Sequence, residues 1–289
     1  MKKIAVLLTC FNRKEKTLSS LEHLHKALEQ HTKEIVLQVY LTDDGSSDGT
    51  SEAVKDRFPG VRILKGSGDL YWSGGMRNSW KEAIKDTHDY YLLLNDDSNV
   101  MDNVFEQLFL AEEYCLKTFG KEGIYVGFTR DPITKDISYG AKVIVNRFLY
   151  KVHELVPTGT SQECVLGNAN IMLVPKVVVD QIGVLSEGYI HAKGDYDYTL
   201  KARKHDIPVL TTGEFCGECT YDKVDIYAKY HMKSFKKRIE ILYNPVGLDF
   251  RSNLTYMKSH FPFRLPFFYV TAWIKVIFPT VYTKVRSRL

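Results

Sequence analysis

Charge of neither sign dominates this chain. Its 39 Lys and Arg stand against 35 Asp and Glu, a formal net charge of +4 over 289 residues. An excess that small makes no electrostatic case for nucleic acid as a partner. Cysteine is scarce: five residues, an odd number without the spacing of a disulfide framework, which fits a reducing compartment. Cys216 and Cys219 have zinc-ligand spacing, but no second pair follows, so they read as free thiols. A long apolar run is missing near the start. Met1-Lys2-Lys3 leads into only five apolar residues, Ile4 to Leu8, before polar ones. No signal peptide is therefore expected, and the expected location is cytoplasmic. What remains, 44% hydrophobic and 26% charged, is the composition of an ordinary globular protein. The length allows one large domain or one domain with an extension.

Short apolar runs alternate with helical patterns in the first hundred residues. Ile4 to Thr9 reads as a strand, about Lys16 to Gln30 as a helix with Leu18, Leu21, Leu24 and Leu28 near helical spacing, and Ile35 to Thr42 as a second strand. Ser51 to Arg57 is a short helix closed by Pro59 and Gly60, and Val61 to Leu64 is a third strand. Such alternation implies βαβ units, an α/β fold with a mostly parallel sheet. Lys65 to Asn78 holds four glycines with Tyr71 and Trp72. It reads as an ordered loop that approaches something closely, with a helix from Ser79 to Lys85 after it.

Leu92-Leu93-Leu94-Asn95-Asp96-Asp97 organises the rest. A buried strand delivers two carboxylates to its C-terminal end, the edge where open α/β sheets bind ligands. Two adjacent carboxylates without a basic neighbour are costly unless a cation sits between them. An oxygen-rich site of this kind suits Mg²⁺ or Mn²⁺ with phosphate oxygens as further ligands. A solvated turn after a strand is the plain alternative for this motif alone. Three strand ends before residue 100 carry polar clusters, which argues for a site.

Leu8 to Arg13, Asp43 to Thr50 and Asn95-Asp96-Asp97 together resemble family 2 glycosyltransferases of the GT-A fold. The segment with Trp72, Gly74-Gly75 and Asn78 is similar to a bacterial rhamnosyltransferase-like branch. The resemblance spans about residues 3–215. It implies a Rossmann-like, mostly parallel central sheet flanked by helices, and a nucleotide-sugar donor, a UDP- or dTDP-sugar. By the family pattern Thr9, Phe11 and Arg13 border the nucleotide, and Asp43 or Asp44 bonds base or ribose. Gly75, Arg77 and Asn78 belong to the donor side. Asp97 binds Mn²⁺ or Mg²⁺, and Asp96 binds ribose or metal. Asn95 stands where the family often has Asp.

In the second half, Met101 to Phe119 is amphipathic, and Ile124 to Phe128 and Lys142 to Val145 read as strands. Val165 to Pro175 resembles the family's Gly-Asn segment, which makes Asn168 and Asn170, with Trp72, candidates for sugar hydroxyls. Gly194-Asp195-Tyr196-Asp197 opens a helix that runs to His205. The resemblance makes Asp195 the catalytic base and places Asp197 and His191 near substrate. The usual Glu before the base is Gly194 here. Carboxylates satisfying a helix N-terminus are the structural alternative. His231 lies where some relatives supply a further metal ligand, but it reads as a surface residue.

The implied reaction is a single displacement with inversion: Asp195 takes the proton of an acceptor hydroxyl, and the metal offsets charge on the leaving nucleoside diphosphate. The expected domains are residues 1–222, with a nucleotide-sugar half of about 1–100 and an acceptor half of about 101–222, and a basic, aromatic helical extension over 223–289. Leu265 to Tyr282 carries one charge, Lys275, but also Pro266 and Pro279. It reads as an interfacial membrane anchor rather than a span, with packing on the domain as the alternative. A glycan or lipid-linked acceptor of surface polysaccharide assembly, at the inner face of the membrane, would suit it. A sugar-phosphate nucleotidyltransferase and a non-catalytic nucleotide-sugar-binding protein are the rival readings.

Overall fold

The first strand, β1 (Lys2–Cys10), is apolar on both faces, and both are covered. Ile4, Val6 and Leu8 join one core layer, and Ala5 and Leu7 join the other. A strand buried on both sides belongs mid-sheet with helices above and below. In this computed structural model, residues 1–29, 31, 35–221, 226, 227 and 229–286 are described.

After β1 come α1 (Lys14–Glu29), β2 (Ile35–Asp43), α2 (Thr50–Arg57), β3 (Arg62–Lys65), α3 (Tyr71–Ala83), β4 (Tyr90–Leu94), β5 (Asn99–Val100) and α4 (Val104–Phe119). The second half holds β6 (Ile124–Arg130), β7 (Ile137–Tyr139), β8 (Ala141–Asn146), β9 (Lys151–Glu154), β10 (Leu166–Gly167), β11 (Ile171–Pro175), α5 (Lys176–Ile182), α6 (Gly194–Lys204) and β12 (Val209–Glu218). The extension consists of α7 (Phe235–Tyr243), α8 (Phe250–His260), α9 (Leu265–Ile277) and α10 (Pro279–Arg286).

The main sheet runs β3-β2-β1-β4-β11-β6-β12-β5, with β7 on β6. Its first half is parallel: β2 pairs β3 and β1, and β1 pairs β4. β11 then inserts antiparallel between β4 and β6, which makes the second half mixed. A separate three-stranded sheet, β10-β8-β9, lies beside it. Leu18, Leu21 and Leu24 of α1 and Phe105 and Leu108 of α4 cover one face. Met76 and Trp80 of α3 and Tyr198 of α6 cover the other. The expected α/β, GT-A-like architecture is the one observed.

Three local points bear on the expectations. The glycine-rich segment is helix from Tyr71 onward, not loop to Asn78. Asp44 explains the start: its two carboxylate oxygens accept from the backbone N–H of Gly68 and of Tyr71, both at 2.8 Å; the first holds the incoming turn, and the second satisfies a donor that a helix start leaves open. Gly75 explains why glycine is tolerated inside it. A Cβ there would lie 2.0 Å from Thr9 Oγ1, so only glycine lets α3 pack this closely on β1. Second, the end of the first helix at Gln30 and the boundary at 222–223 lie outside the described residues. Third, Leu265 to Tyr282 is two helices, with a break at Phe278 before Pro279. Among the described residues no helix is long and apolar enough to cross a membrane.

The extension is joined to the rest through α8. Leu200 of α6 and Tyr256 of α8 share a core cluster. In the same layer His260 Nε2 lies 2.7 Å from Asp197 Oδ1, both buried.

Candidate active site

The C-terminal ends of β1, β2 and β4 lie side by side, and their loops are tied together. Asn12 N donates to Ser46 Oγ at 2.9 Å, and Ser47 N donates to Asn12 Oδ1 at 2.7 Å. Lys14 N donates to Asp48 Oδ2 at 3.0 Å. The polar clusters that interrupt each apolar run therefore build one rim.

Arg13 reaches across that rim. Its Nη1 lies 2.6 Å from Asp97 Oδ2 and 3.2 Å from Asp96 Oδ1, with Lys16 Nζ 3.9 Å from Asp97 Oδ2. The carboxylates that looked unaccompanied in sequence thus have two basic neighbours, supplied from more than eighty positions away. Asp96 is nonetheless short of partners: Oδ2 is buried with none. Burial, assisted by the charge of Asp97 and opposed by Arg13, pushes its pKa up to about 7. A buried carboxylate oxygen lacking a donor is what a hard cation satisfies. Among the described residues no group of three or more His, Cys, Asp or Glu forms a metal cluster. Asp96 and Asp97 thus fit Mg²⁺ or Mn²⁺ as a partial ligand set, to be completed by phosphate oxygens and water.

Several candidate residues have other occupations. Asp43 accepts from Ser46 N at 2.8 Å and from Ser51 Oγ, and Asp44 holds the start of α3. Both are buried; Asp43 shapes its own loop and Asp44 the one that leads into α3. Thr9 is buried against Gly75, so this pair sits behind the rim. Arg77 donates to the carbonyls of Ser186 and Tyr189, at 2.8 and 3.4 Å, and pairs with Glu187 at 3.1 Å. Asn78 donates to Thr42 Oγ1 at 3.2 Å. Arg77 and Asn78 thus brace α3 from within the fold, because the segment is helical and turns them inward. Phe11 is exposed at the tip of the first loop.

Beyond the rim a cleft of about 350 Å³ brings together Trp72, Asn168, Asn170, His191 and Asp195. Trp72 donates Nε1 to Asn95 Oδ1 at 2.7 Å, which links the cleft to the carboxylate loop. Asn170 is buried and donates to Ser98 Oγ at 3.2 Å. Asn168 Nδ2 donates to Asp195 Oδ2 at 3.2 Å, and Tyr196 N donates to Asp195 Oδ1 at 2.7 Å. Burial raises the pKa of Asp195 above the usual carboxylate range, against those hydrogen bonds and nearby Lys193. Burial likewise holds His191 below the ordinary histidine value. Asp195 is the one carboxylate among the described residues lining this cleft.

Asp197 is not in the cleft. It is 4% exposed and accepts from Tyr189 Oη at 2.8 Å besides facing His260. Burial pushes its pKa up, but its hydrogen bonds, His260 foremost, hold it below the usual range. It anchors α6 while Asp195, two residues earlier, faces the opening. Gly194 lies against Ser73, whose Oγ would be 2.6 Å from an added Cβ, so the departure from the family's Glu follows from packing. His231 is exposed, and Cys216 and Cys219 are buried free thiols.

Tyr139, Lys193 and Tyr196 also line the cleft and were not singled out in sequence. The Nζ of Lys193 lies 4.7 Å from the Tyr196 ring centroid and 5.6 Å from that of Tyr256. Direct adjacency to Gly194-Asp195 was the one signal that marked Lys193. Tyr139 arrives from the β6–β7 hairpin with no motif around it.

Residues 5–113, from β1 into α4, match the model of the family Glycosyl transferase family 2. No curated protein matches the chain. Solved structures share the fold at low identity. One is GalNAc-T7 with UDP, GalNAc and Mn²⁺, at 12% identity and TM-score 0.57, covering 76% of this chain and 44% of that one. Another is the mannosyltransferase PcManGT from Pyrobaculum calidifontis with GDP-Man and Mn²⁺, at 11% identity and TM-score 0.54, covering 95% and 70%. A third is TarS from S. aureus, at 14% and 0.52, covering 84% and 40%. The chain thus spans less than half the length of two of these three neighbours.

Proposed function

We propose that this chain is a metal-dependent, inverting glycosyltransferase of family 2 that moves a sugar from a UDP- or dTDP-sugar to an acceptor hydroxyl. One observation carries the reading. A single desolvated carboxylate, Asp195, faces a cleft lined by amides and an indole, and Trp72 and Asn95 join that cleft to the Asp96–Asp97 pair. The match of residues 5–113 to the family and the fold shared with sugar-transferring enzymes support it.

In this mechanism Asn168 and Tyr196 N fix the orientation of the Asp195 carboxylate. Burial raises its pKa, which makes it a stronger base than an ordinary carboxylate. Asp195 takes the proton of the acceptor hydroxyl as that oxygen attacks the anomeric carbon. Trp72 and Asn170 bound the space for the sugar, and Phe11 offers a face to the base. Asp96 and Asp97 would hold a divalent metal, which would supply positive charge against that of the departing diphosphate. With one carboxylate in the cleft, a single displacement with inversion is the economical course. The acceptor is a glycan or a lipid-linked glycan of a surface polysaccharide, and the C-terminal extension meets the inner face of the membrane as a peripheral contact.

Thermal-shift measurements with UDP, dTDP, GDP and CMP, each with and without Mn²⁺, test the donor site. Metal-dependent stabilisation by UDP or dTDP supports it; no shift from any nucleotide sinks it. Asp195→Asn tests the base. Transfer should fall by about 10²- to 10⁴-fold while nucleotide stabilisation persists, and a variant that still transfers refutes the assignment.

A further inference from the structure

The contact proposed for the extension has a second half, 115 residues earlier in the chain. Phe148 and Leu149 form the tip of the β8–β9 loop, 75% and 71% exposed. They do not stand alone. The Phe148 ring lies 5.0 Å from that of Phe263, at the start of the α9 region. From there the outward face of α9 continues with Phe267, Val270 and Ile277, each at least half exposed, while Phe268, Ala272 and Val276 pack inward. A helix apolar on both faces is not satisfied by its own domain.

The loop is tied to α8 and to the turn that leads into α9. Arg264 donates to the Phe148 carbonyl. Arg147 Nη2 donates to the His260 carbonyl at 2.8 Å, with its guanidinium 4.8 Å from the Phe261 ring centroid. Tyr150 and Tyr256 share a hydroxyl hydrogen bond of 3.0 Å. The loop tip and α9 therefore meet a partner together and pay little ordering entropy to do so.

Charge identifies the partner. From Phe250 to Leu289 there are seven Lys and Arg and no Asp or Glu, and Ala141 to His153 also lacks an acid. An apolar, aromatic ridge carried by two segments whose only charges are basic is the chemistry of an anionic bilayer surface, apolar tips seated among acyl chains and cations at headgroups. We propose that the Phe148–Leu149 loop and α9 form one rigid docking surface for anionic lipid. The proposal rests on the membrane contact assigned above to the extension, not on the transferase chemistry.

Vesicle co-sedimentation of the full chain tests it. The probes are neutral phosphatidylcholine vesicles and vesicles with a third phosphatidylglycerol, at low and high salt. The expected result is binding to the anionic vesicles that weakens with salt. Phe148→Ser with Leu149→Ser should weaken it by roughly tenfold or more, with unchanged melting temperature. Ile133→Ser, at an equally exposed tip of the β6–β7 hairpin, should bind as the parent does. Full binding by the Phe148/Leu149 variant, with loss only on Phe267→Ser and Val270→Ser, overturns the two-segment surface and leaves the extension's contact standing. No binding by the parent, or a dimer in solution that this variant dissociates, overturns both. Nucleotide stabilisation is read in parallel, so failure of the donor site shows separately.

Discussion

His260 belongs to the extension, yet it completes the burial of a carboxylate in the helix that presents Asp195. Consider His260→Ala. The parent holds Nε2 at 2.7 Å from Asp197 Oδ1, with the two side chains 2% and 6% exposed. The change leaves the carboxylate with Tyr189 Oη on that oxygen and no replacement from solvent. It also removes a ring packed 5.3 Å from that of Tyr256. Removing one member of a buried pair costs about 3–5 kcal/mol, because the remaining charge is stranded. Unfolding entropy of about 2.1 cal/mol/K per residue gives roughly 0.6 kcal/mol/K for a chain of this length, so a loss of about 3 kcal/mol lowers Tm by about 5 °C. The assay is thermal denaturation of the parent, His260→Ala, Asp197→Asn and the double variant. The double variant should be more stable than the sum of the singles predicts, by about 1–3 kcal/mol of coupling. The pH dependence has a definite sign. Asp197 has a depressed folded pKa, so its stabilisation is present above the ordinary carboxylate value near 4 and is lost as pH falls through the lower folded value. The Tm gap between parent and Asp197→Asn should therefore close below about pH 4. Additive single effects within about 0.5 kcal/mol, or a gap that widens in acid, would refute the reasoning.

Two further outcomes follow from local geometry. Gly75→Ala places a Cβ 2.0 Å from Thr9 Oγ1, and overpacking of this kind costs about 1–3 kcal/mol; chemical denaturation should show the loss, with partial recovery when Thr9 is also made Ala. Asp96 has a folded pKa raised to about 7, so in metal-free protein its ionisation costs stability as pH climbs from about 4 through 7. Asp96→Asn should therefore gain on the parent in Tm over that range in the presence of a chelator, and parallel pH curves for the two would count against the burial argument.

The strands were legible because each is an apolar run that stops at a polar cluster, the pattern a two-sided parallel strand must have. The cleft residues Asn168, Asn170, His191 and Asp195 were legible only through resemblance, since an amide or a carboxylate carries no period. What escaped was set by contacts remote in sequence. Four glycines between Lys65 and Asn78 weigh against helix by propensity, but Gly75 fits against Thr9 and Asp44 caps the start, so packing overrode propensity. Arg77 looked like a donor-side residue because nothing nearby in sequence reveals the carbonyls of Ser186 and Tyr189. Asp197 looked like a substrate contact until its partner appeared 63 residues later.

The same remoteness changes the charge logic of the carboxylate loop. Read locally, Asp96 and Asp97 are an unbalanced pair that demands a cation. In the fold Arg13 and Lys16 bring two positive charges to two negative ones. Such a cluster is close to neutral, and Arg13 opposes a divalent ion arriving alone much as the carboxylates oppose a diphosphate arriving alone. On the proposed function, an ion bound together with a diphosphate would take the carboxylates and leave Arg13 for phosphate oxygens, the bidentate partner its guanidinium suits. Metal and nucleotide would then raise each other's affinity by the same factor, as linkage requires. The proposed site therefore predicts that UDP or dTDP stabilises the protein less without Mn²⁺ than with it, and that Mn²⁺ alone stabilises it less than Mn²⁺ with nucleotide; shifts that simply add would count against the linkage.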